Sequence, residues 1–200
     1  MSKPEGTRSF GCERFFAAPR MTRGRYNMDF WALVKKRRSV RKFDPKRPVS
    51  EEQTDKILEA AIWAPSAGNM QCWRFFVVRN PEVKDQLAIR AGHQPFLNDA
   101  PVLIVVCADL AQIAHSYGSR GSETFAIQDT AAAIENILLA VTDLGLAACW
   151  IGAFDEGRVS NILKLEEGIR PLAMLPIGYA ADDPRPPRRR PLSEVVKRID

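Results

Sequence analysis

Residues 64–75 read Ala64-Pro65-Ser66-Ala67-Gly68-Asn69-Met70-Gln71-Cys72-Trp73-Arg74-Phe75. The stretch divides a helix from a strand. Before it, Ser50-Glu51-Glu52-Gln53 has the spacing of a capping box, in which the serine hydroxyl and the residue-53 side chain satisfy each other's free backbone N–H groups. A helix should therefore run from there to about Ala61, with Ile57, Leu58, Ala61 and Ile62 as its apolar stripe. Pro65 and Gly68 end it in a loop. After the loop, Trp73 to Arg79 is rich in aromatic and β-branched residues and reads as a strand.

Working outward, Asp29 to Lys36 reads as a short helix with Phe30, Leu33 and Val34 on one face. Asn80-Pro81 opens another helix to about Ala91, with proline at its first position. Val102 to Ala108 is almost wholly apolar, the pattern of a strand buried on both faces. Residues 111–122 are polar and rich in glycine and serine, and read as a mobile loop. The longest helix should span about Glu123 to Leu144, stopped by Gly145. It is apolar over more than one stripe, which suggests burial on several sides and hints at a dimer core. Ala148 to Ala153 and Leu172 to Tyr179 read as strands, and Asp155 can cap a short helix to about Lys164. Helices alternating with buried strands place the chain in the α/β or α+β class with a layered sheet. Strand order does not follow from the sequence.

The 200 residues, 46% apolar and 26% charged, suit one domain or one half of an intertwined dimer. No apolar stretch approaches the ~20 residues of a membrane span. Residues 1–27 are Arg-rich and lack an apolar signal core, so a flexible extension is expected there, with the domain at 28–200. Cys12, Cys72, Cys107 and Cys149 form no C-x-x-C pair and only His93 and His115 accompany them, so no metal site is expected. Reduced cysteines fit a cytoplasmic protein. The net charge of +5 is concentrated in residues 35–47 and 185–190. Such clusters can bind nucleic acid, an anionic membrane or a small phosphate, or can be solvated surface.

The familiar catalytic signatures are missing. There is no G-x-G-x-x-G after a strand, no phosphate-binding G-x-x-x-x-G-K-[ST], no H-E-x-x-H and no G-x-S-x-G. If the chain is an enzyme, its chemistry belongs to a bound cofactor, and no catalytic side chain is assigned.

Four segments resemble the nitroreductase family. They are Arg37-Arg38-Ser39-Val40-Arg41-Lys42-Phe43, residues 64–75 as quoted, residues 144–155 (Leu-Gly-Leu-Ala-Ala-Cys-Trp-Ile-Gly-Ala-Phe-Asp), and Leu175-Pro176-Ile177-Gly178-Tyr179 followed by Arg188-Arg189-Arg190-Pro191-Leu192. Cys72 departs from the usual proline. Many relatives also carry a longer C-terminal arm, which leaves the extent of exchange between subunits open. The resemblance implies a central mixed, mainly antiparallel β-sheet flanked by helices, in an intertwined homodimer with FMN at the subunit interface.

By the same resemblance, Arg37, Ser39, Arg188 and Arg190 would meet the FMN phosphate. Planar guanidinium groups suit a phosphate dianion. Arg41 would face the pyrimidine edge of the ring, where a cation favours the reduced form. Arg38 lies among these contacts, although it and Lys42 also read as solvated or paired with Asp44. Gly152, between Ile151 and Ala153, would bring backbone close to the ring. Pro65, Ser66, Ala67, Asn69 and Gln71 would serve the flavin of the opposite subunit. Tyr117 and Phe125 are candidates for the substrate roof. Trp73, Phe75 and Trp150 read mainly as packing, and Arg189 as pointing to water.

The implied activity is a ping-pong hydride transfer from NADH or NADPH to a small-molecule acceptor such as a nitroaromatic or quinone. Non-enzymatic FMN storage or sensing, reductive dehalogenation and flavin breakdown are the alternatives. A nucleic-acid or membrane partner is not expected.

Overall fold

The structure, a computed structural model, describes residues 29–199. The expected extension over 1–27, Cys12 and Met28 lie outside the described residues.

Helix α1 (Phe30–Lys36) starts at Asp29, whose carboxylate accepts from the Ala32 N–H at 3.3 Å. Its apolar face is only partly used within this chain: Leu33 is half-buried, whereas Phe30 and Trp31 are exposed. Helix α2 (Glu51–Ile62) carries the expected capping box, with Gln53 N–H donating to Ser50 Oγ at 3.1 Å and Ser50 N–H to Gln53 Oε1 at 3.0 Å. Ile57 and Ala61 are buried, and Ile62 and Trp63 are left exposed. Strand β1 (Trp73–Val78) follows the loop. Helix α3 (Pro81–Asp85) is capped by Asn80 and continues through a wider turn to Ala91.

Strand β2 (Val102–Asp109) is buried on both faces, as its sequence suggested. Its side chains sort by the period of two that a pleated strand imposes. Val102, Ile104 and Val106 enter one core cluster, and Leu103, Val105 and Cys107 enter another.

Residues 111–122 are not a mobile loop. Helix α4 (Leu110–Arg120) forms there, capped by Asp109 accepting from the Gln112 N–H at 2.9 Å. The Gly/Ser composition suggested a loop. However, Ile113 is fully buried in a cluster with Cys72, Ala108 and Ala126, and that packing outweighs weak helix propensity. Gly118 keeps a non-helical φ of 58°. A wide turn over Gly121–Phe125 leads into α5 (Ala126–Asp143), three residues later than expected. By length and composition, the helical run Leu110–Asp143 could cross a membrane, which counting contiguous apolar residues did not detect. In this fold α5 instead buries Ala133, Ile134, Ile137 and Val141 against α2 and the sheet.

Strand β3 is shorter than expected: only Ala147–Ala148, with one further bridge from Ile151 to Met174. Trp150 lies between these two contacts and is 40% exposed. Helix α6 (Glu156–Leu163) is capped by Asp155. Strand β4 (Ile169–Gly178) is followed by an extended tail and a short helix, α7 (Leu192–Val195).

The sheet order is β1-β2-β4-β3, every named pair antiparallel. Ser39 adds a parallel bridge to Ala148, so the sheet is mixed and mainly antiparallel, as implied. One apolar layer lies under α2 and α5, and the other under α3 and α6. The order also sets a distance constraint. β1 and β3 are opposite edges with two strands between them, on the order of 14 Å apart at the usual strand spacing.

Ser50→Ala removes one member of the capping box and should lower unfolding stability by about 1 kcal/mol. Urea denaturation of the two proteins measures this, and superimposable curves would contradict it.

Candidate cofactor site: an arginine cavity and a left-handed loop

The basic strip after α1 is fixed by backbone contacts. Val40 N–H donates to Ala148 O at 3.0 Å, Asp44 N–H to Tyr179 O at 2.9 Å, and Ala181 N–H to Lys42 O at 2.9 Å. Val40 and Phe43 are buried with Ala100 and Ala147. With Val40 anchored inward, its neighbours Ser39 and Arg41 project to the other side of the extended strip, and both are exposed. The chain thus holds its cations at the β3 edge by burying the apolar residues between them.

The tail after β4 returns to this strip. Arg37, Arg38, Ser39 and Arg41 line a cavity of about 340 Å³ together with Pro184, Arg185, Pro187 and Arg189. Two clusters about 150 residues apart in the chain therefore meet. The tail contributes Pro184, Arg185, Pro187 and Arg189, of which 185, 187 and 189 alternate along an extended segment. That spacing is the signal for Arg185 and Arg189. Arg188 and Arg190, expected from the resemblance, do not line the cavity. Arg190 instead pairs with Glu194 at 3.0 Å. Arg38 makes no ion pair with Asp44. Its guanidinium donates to the carbonyls of Lys35 and Arg37. Among the described residues none of the five lining arginines has a carboxylate partner.

The segment beyond β3 lies along the same edge. Ile151 is buried and exchanges backbone hydrogen bonds with Met174 at 3.0 and 2.9 Å. Gly152 and Ala153 are exposed, and a Cβ added at Gly152 would meet nothing within 4 Å. Open space therefore fronts the backbone here. Arg41 is close enough to Cys149 for its charge to act on that thiol.

The 64–72 loop is at the other edge, entering β1. Gly68, Asn69 and Gln71 all have positive φ, at 54°, 57° and 51°. Two non-glycine residues in this region within three positions mark a loop held by its surroundings, since each costs energy that a free segment would shed. Gln71 N–H donates to Ser66 Oγ at 3.0 Å, and Gln71 Nε2 reaches Asn69 Oδ1 at 3.3 Å. The flanking elements grip the loop as well. Ala67 N–H donates to Asp129 Oδ1 of α5 at 3.0 Å, and Gln112 Nε2 of α4 donates to Met70 O at 2.6 Å. Asp129 and Gln112 were not among the expected site residues. For Asp129 the available signal was a lone carboxylate on the apolar face of a long helix. Pro65, Asn69 and Gln71 are exposed, and Ser66 and Ala67 are half-buried.

Tyr117 and Phe125 stack edge to face with ring centroids 5.2 Å apart. The Tyr117 hydroxyl occupies the space where a Cβ on residue 68 would project. The candidate roof therefore touches the loop directly. Trp73 is buried and Phe75 half-buried, as read from the sequence, whereas Trp150 is more exposed than packing alone suggested.

Chemically, one edge offers a concentrated positive charge beside open backbone, and the other offers neutral amide and hydroxyl groups. The thiols of the described residues are buried and held neutral. Burial, reinforced by the Asp129 carboxylate, pushes Cys72 up to about 11, and burial alone pushes Cys107 up to about 12. Burial also raises Cys149, partly offset by Arg41.

Known proteins offer close parallels. The model of the Nitroreductase family matches residues 34–91 and 84–179. A Methanothermobacter thermautotrophicus protein named as an NADH dehydrogenase/NAD(P)H nitroreductase is 40% identical over 161 residues, covering 78% of this chain and 80% of that protein. The Bacillus subtilis FMN reductase [NAD(P)H] is 34% identical over 158 residues, 72% of this chain and 63% of that protein. The fold also matches a crystal structure from Exiguobacterium sibiricum, described as a nitroreductase in complex with FMN. There the TM-score is 0.79 at 24% identity, covering 88% of this chain and 99% of that one.

Raised thiol pKa values favour the neutral form in the fold. Stability from this source is present below the unfolded thiol range and falls as pH rises through about 11. At pH 8 a thiol-specific disulfide reagent should modify no more than one of the four cysteines in the native protein and all four after unfolding. Rapid native-state modification of two or more would contradict the burial.

Proposed function

The chain belongs to the nitroreductase family, and on that premise we propose that it is an FMN-dependent oxidoreductase using NADH or NADPH to reduce small electrophiles such as nitroaromatics and quinones. The observation that carries the reading is the cavity where Arg37, Arg38, Arg41, Arg185 and Arg189 gather without a carboxylate among its lining residues. A flavin mononucleotide fits the donor set. Its phosphate dianion answers the cations, and its ring needs open backbone of the kind found at Gly152.

When bound, FMN supplies the redox chemistry, a two-electron ping-pong exchange between nicotinamide and acceptor. The chain's residues bind and orient. Arg37, Arg185, Arg189 and the Ser39 hydroxyl would hold the phosphate by charge-assisted hydrogen bonds, each worth about 1.5–3 kcal/mol. Arg185 and Arg189 take precedence over Arg188 and Arg190 as the tail's contribution. Arg41, on the β3 edge, would supply a fixed cation to the bound flavin ring. Ile151, Gly152 and Ala153 would offer it open backbone. Tyr117 and Phe125 roof the acceptor pocket. No side chain is assigned a proton-transfer role, because protons can come from solvent.

The loop residues Ser66, Asn69 and Gln71, flanked by Pro65 and Ala67, serve the cofactor held by a second copy of the chain. Two observations support this part of the reading. The loop and the arginine cavity are associated with opposite edges of one sheet. Furthermore, a mainly apolar groove of about 350 Å³ lined by Leu33, Ala60, Trp63, Leu139 and Ala140, with Asn136 and Asp143, is open, and Trp63 is 80% exposed. A cytoplasmic setting, with thiols kept reduced, accompanies this proposal.

The purified protein, supplied with FMN, should show a bound flavin spectrum that bleaches within seconds on anaerobic addition of NADH or NADPH. A protein that stays yellow would be a flavin carrier rather than a reductase. A protein that retains no FMN would overturn the reading altogether.

A further inference from the structure

We infer that Asp129 is a positioning residue for the cofactor loop: its carboxylate, on α5, sets the backbone conformation from which Asn69 and Gln71 present their amide groups. The inference rests on the reading of the 66–71 loop as a flavin contact.

Asp129 is 5% exposed on a helix face otherwise buried through Ala126, Ala133 and Ile134. A carboxylate there is costly unless its oxygens are used. Both oxygens face the loop. Oδ1 accepts the Ala67 N–H at 3.0 Å, and Oδ2 lies 3.8 Å from the Cys72 thiol. Asp129 therefore binds one residue at the start of the loop and one at its end, and the three positive-φ residues lie between them.

The intervening turn is closed by Asn69 N–H to Ser66 O at 3.0 Å and Met70 N–H to Ala67 O at 3.0 Å. A left-handed conformation comes readily to asparagine but costs energy at Gln71. Fixing both ends of the loop makes it the arrangement that fits between them. Asn69 and Gln71 are exposed; Gln71 Nε2 bonds Asn69, which leaves Asn69 Nδ2 and Gln71 Oε1 to face a ligand. Asp129 touches no ligand itself. It acts through Ala67 and Cys72.

The test compares two side chains of similar size that differ in the acceptor. Asp129→Asn keeps an oxygen for the Ala67 N–H, and Asp129→Leu does not. FMN is titrated into the flavin-free parent and both variants, and the absorbance maxima of bound flavin are recorded. The expected result is Asp129→Asn within about threefold of the parent and Asp129→Leu at least about tenfold weaker with shifted maxima. Leucine binding FMN as tightly as asparagine would overturn the inference, because a packing role would be met by either. If Asp129→Leu proves insoluble, the asparagine variant decides. Retained affinity and unchanged maxima support positioning through the acceptor oxygen, and a tenfold loss at an unchanged thermal midpoint overturns it. A parent that binds no FMN would defeat the proposed function, whereas a parent that binds it alongside equal variants defeats only this inference.

Discussion

Five guanidinium groups around one cavity repel one another, and among the described residues no carboxylate pairs with them. The repulsion is screened in part by solvent and salt. The fold nevertheless holds the backbone that bears these groups in place. Val40 and Phe43 are buried, the strip is bonded to Ala148 and Tyr179, and the tail returns through Ala181 to Lys42. Such an arrangement is stabilised by an anion that spans the cations, and a phosphate dianion provides forked acceptors of the right kind. The remaining site follows from where this charge is fixed. Ser39 pairs with Ala148, so the cavity lies at the β3 edge, and the open backbone at Gly152 lies on the same edge.

The loop at the β1 edge answers a different requirement. It offers neutral hydrogen-bond groups and holds them in a backbone conformation that costs energy. Helices α4 and α5 meet that cost through Gln112, Tyr117 and Asp129, each touching a different residue of the loop. The helices that carry the candidate acceptor roof therefore also grip the candidate cofactor loop. Arg74 extends this link, bonding Asp109 at 2.9 Å and Gln112 at 3.1 Å. Under the proposed function, a second copy would then have a chemical as well as a packing role.

Much of the fold was legible in local sequence because local physics decides it. The capping box at Ser50 and Gln53, the Asn80-Pro81 helix start, the Asp155 cap and the doubly buried run from Val102 all depend on near neighbours. Where distant packing decided, the sequence misled. Residues 111–122 look like a loop by composition, yet burial of Ile113 makes them a helix. The strand expected over 148–153 dwindles to two residues and a bridge, with the half-exposed Trp150 between them. In the site, the strip from Arg37 to Arg41 was readable from its motif. The tail was readable as a charge cluster and as a motif pointing to Arg188 and Arg190, whereas Arg185 and Arg189 line the cavity. Which of its arginines turn inward depends on how the extended tail runs back from the Ala181–Lys42 contact, and local sequence does not fix that. Asp129 was hidden for a related reason, since its partners, a backbone N–H and a buried thiol, are 62 and 57 positions away.

The most direct measurement is the affinity of the flavin-free protein for FMN against riboflavin, which shares the ring and ribityl chain but lacks the phosphate. If the arginine cavity holds that phosphate, FMN should bind at least about a hundredfold more tightly at low salt, as two or more charge-assisted contacts require. Arg37→Ala and Arg189→Ala should each narrow the gap. Equal affinity for the two flavins, unchanged by either substitution, would contradict the account.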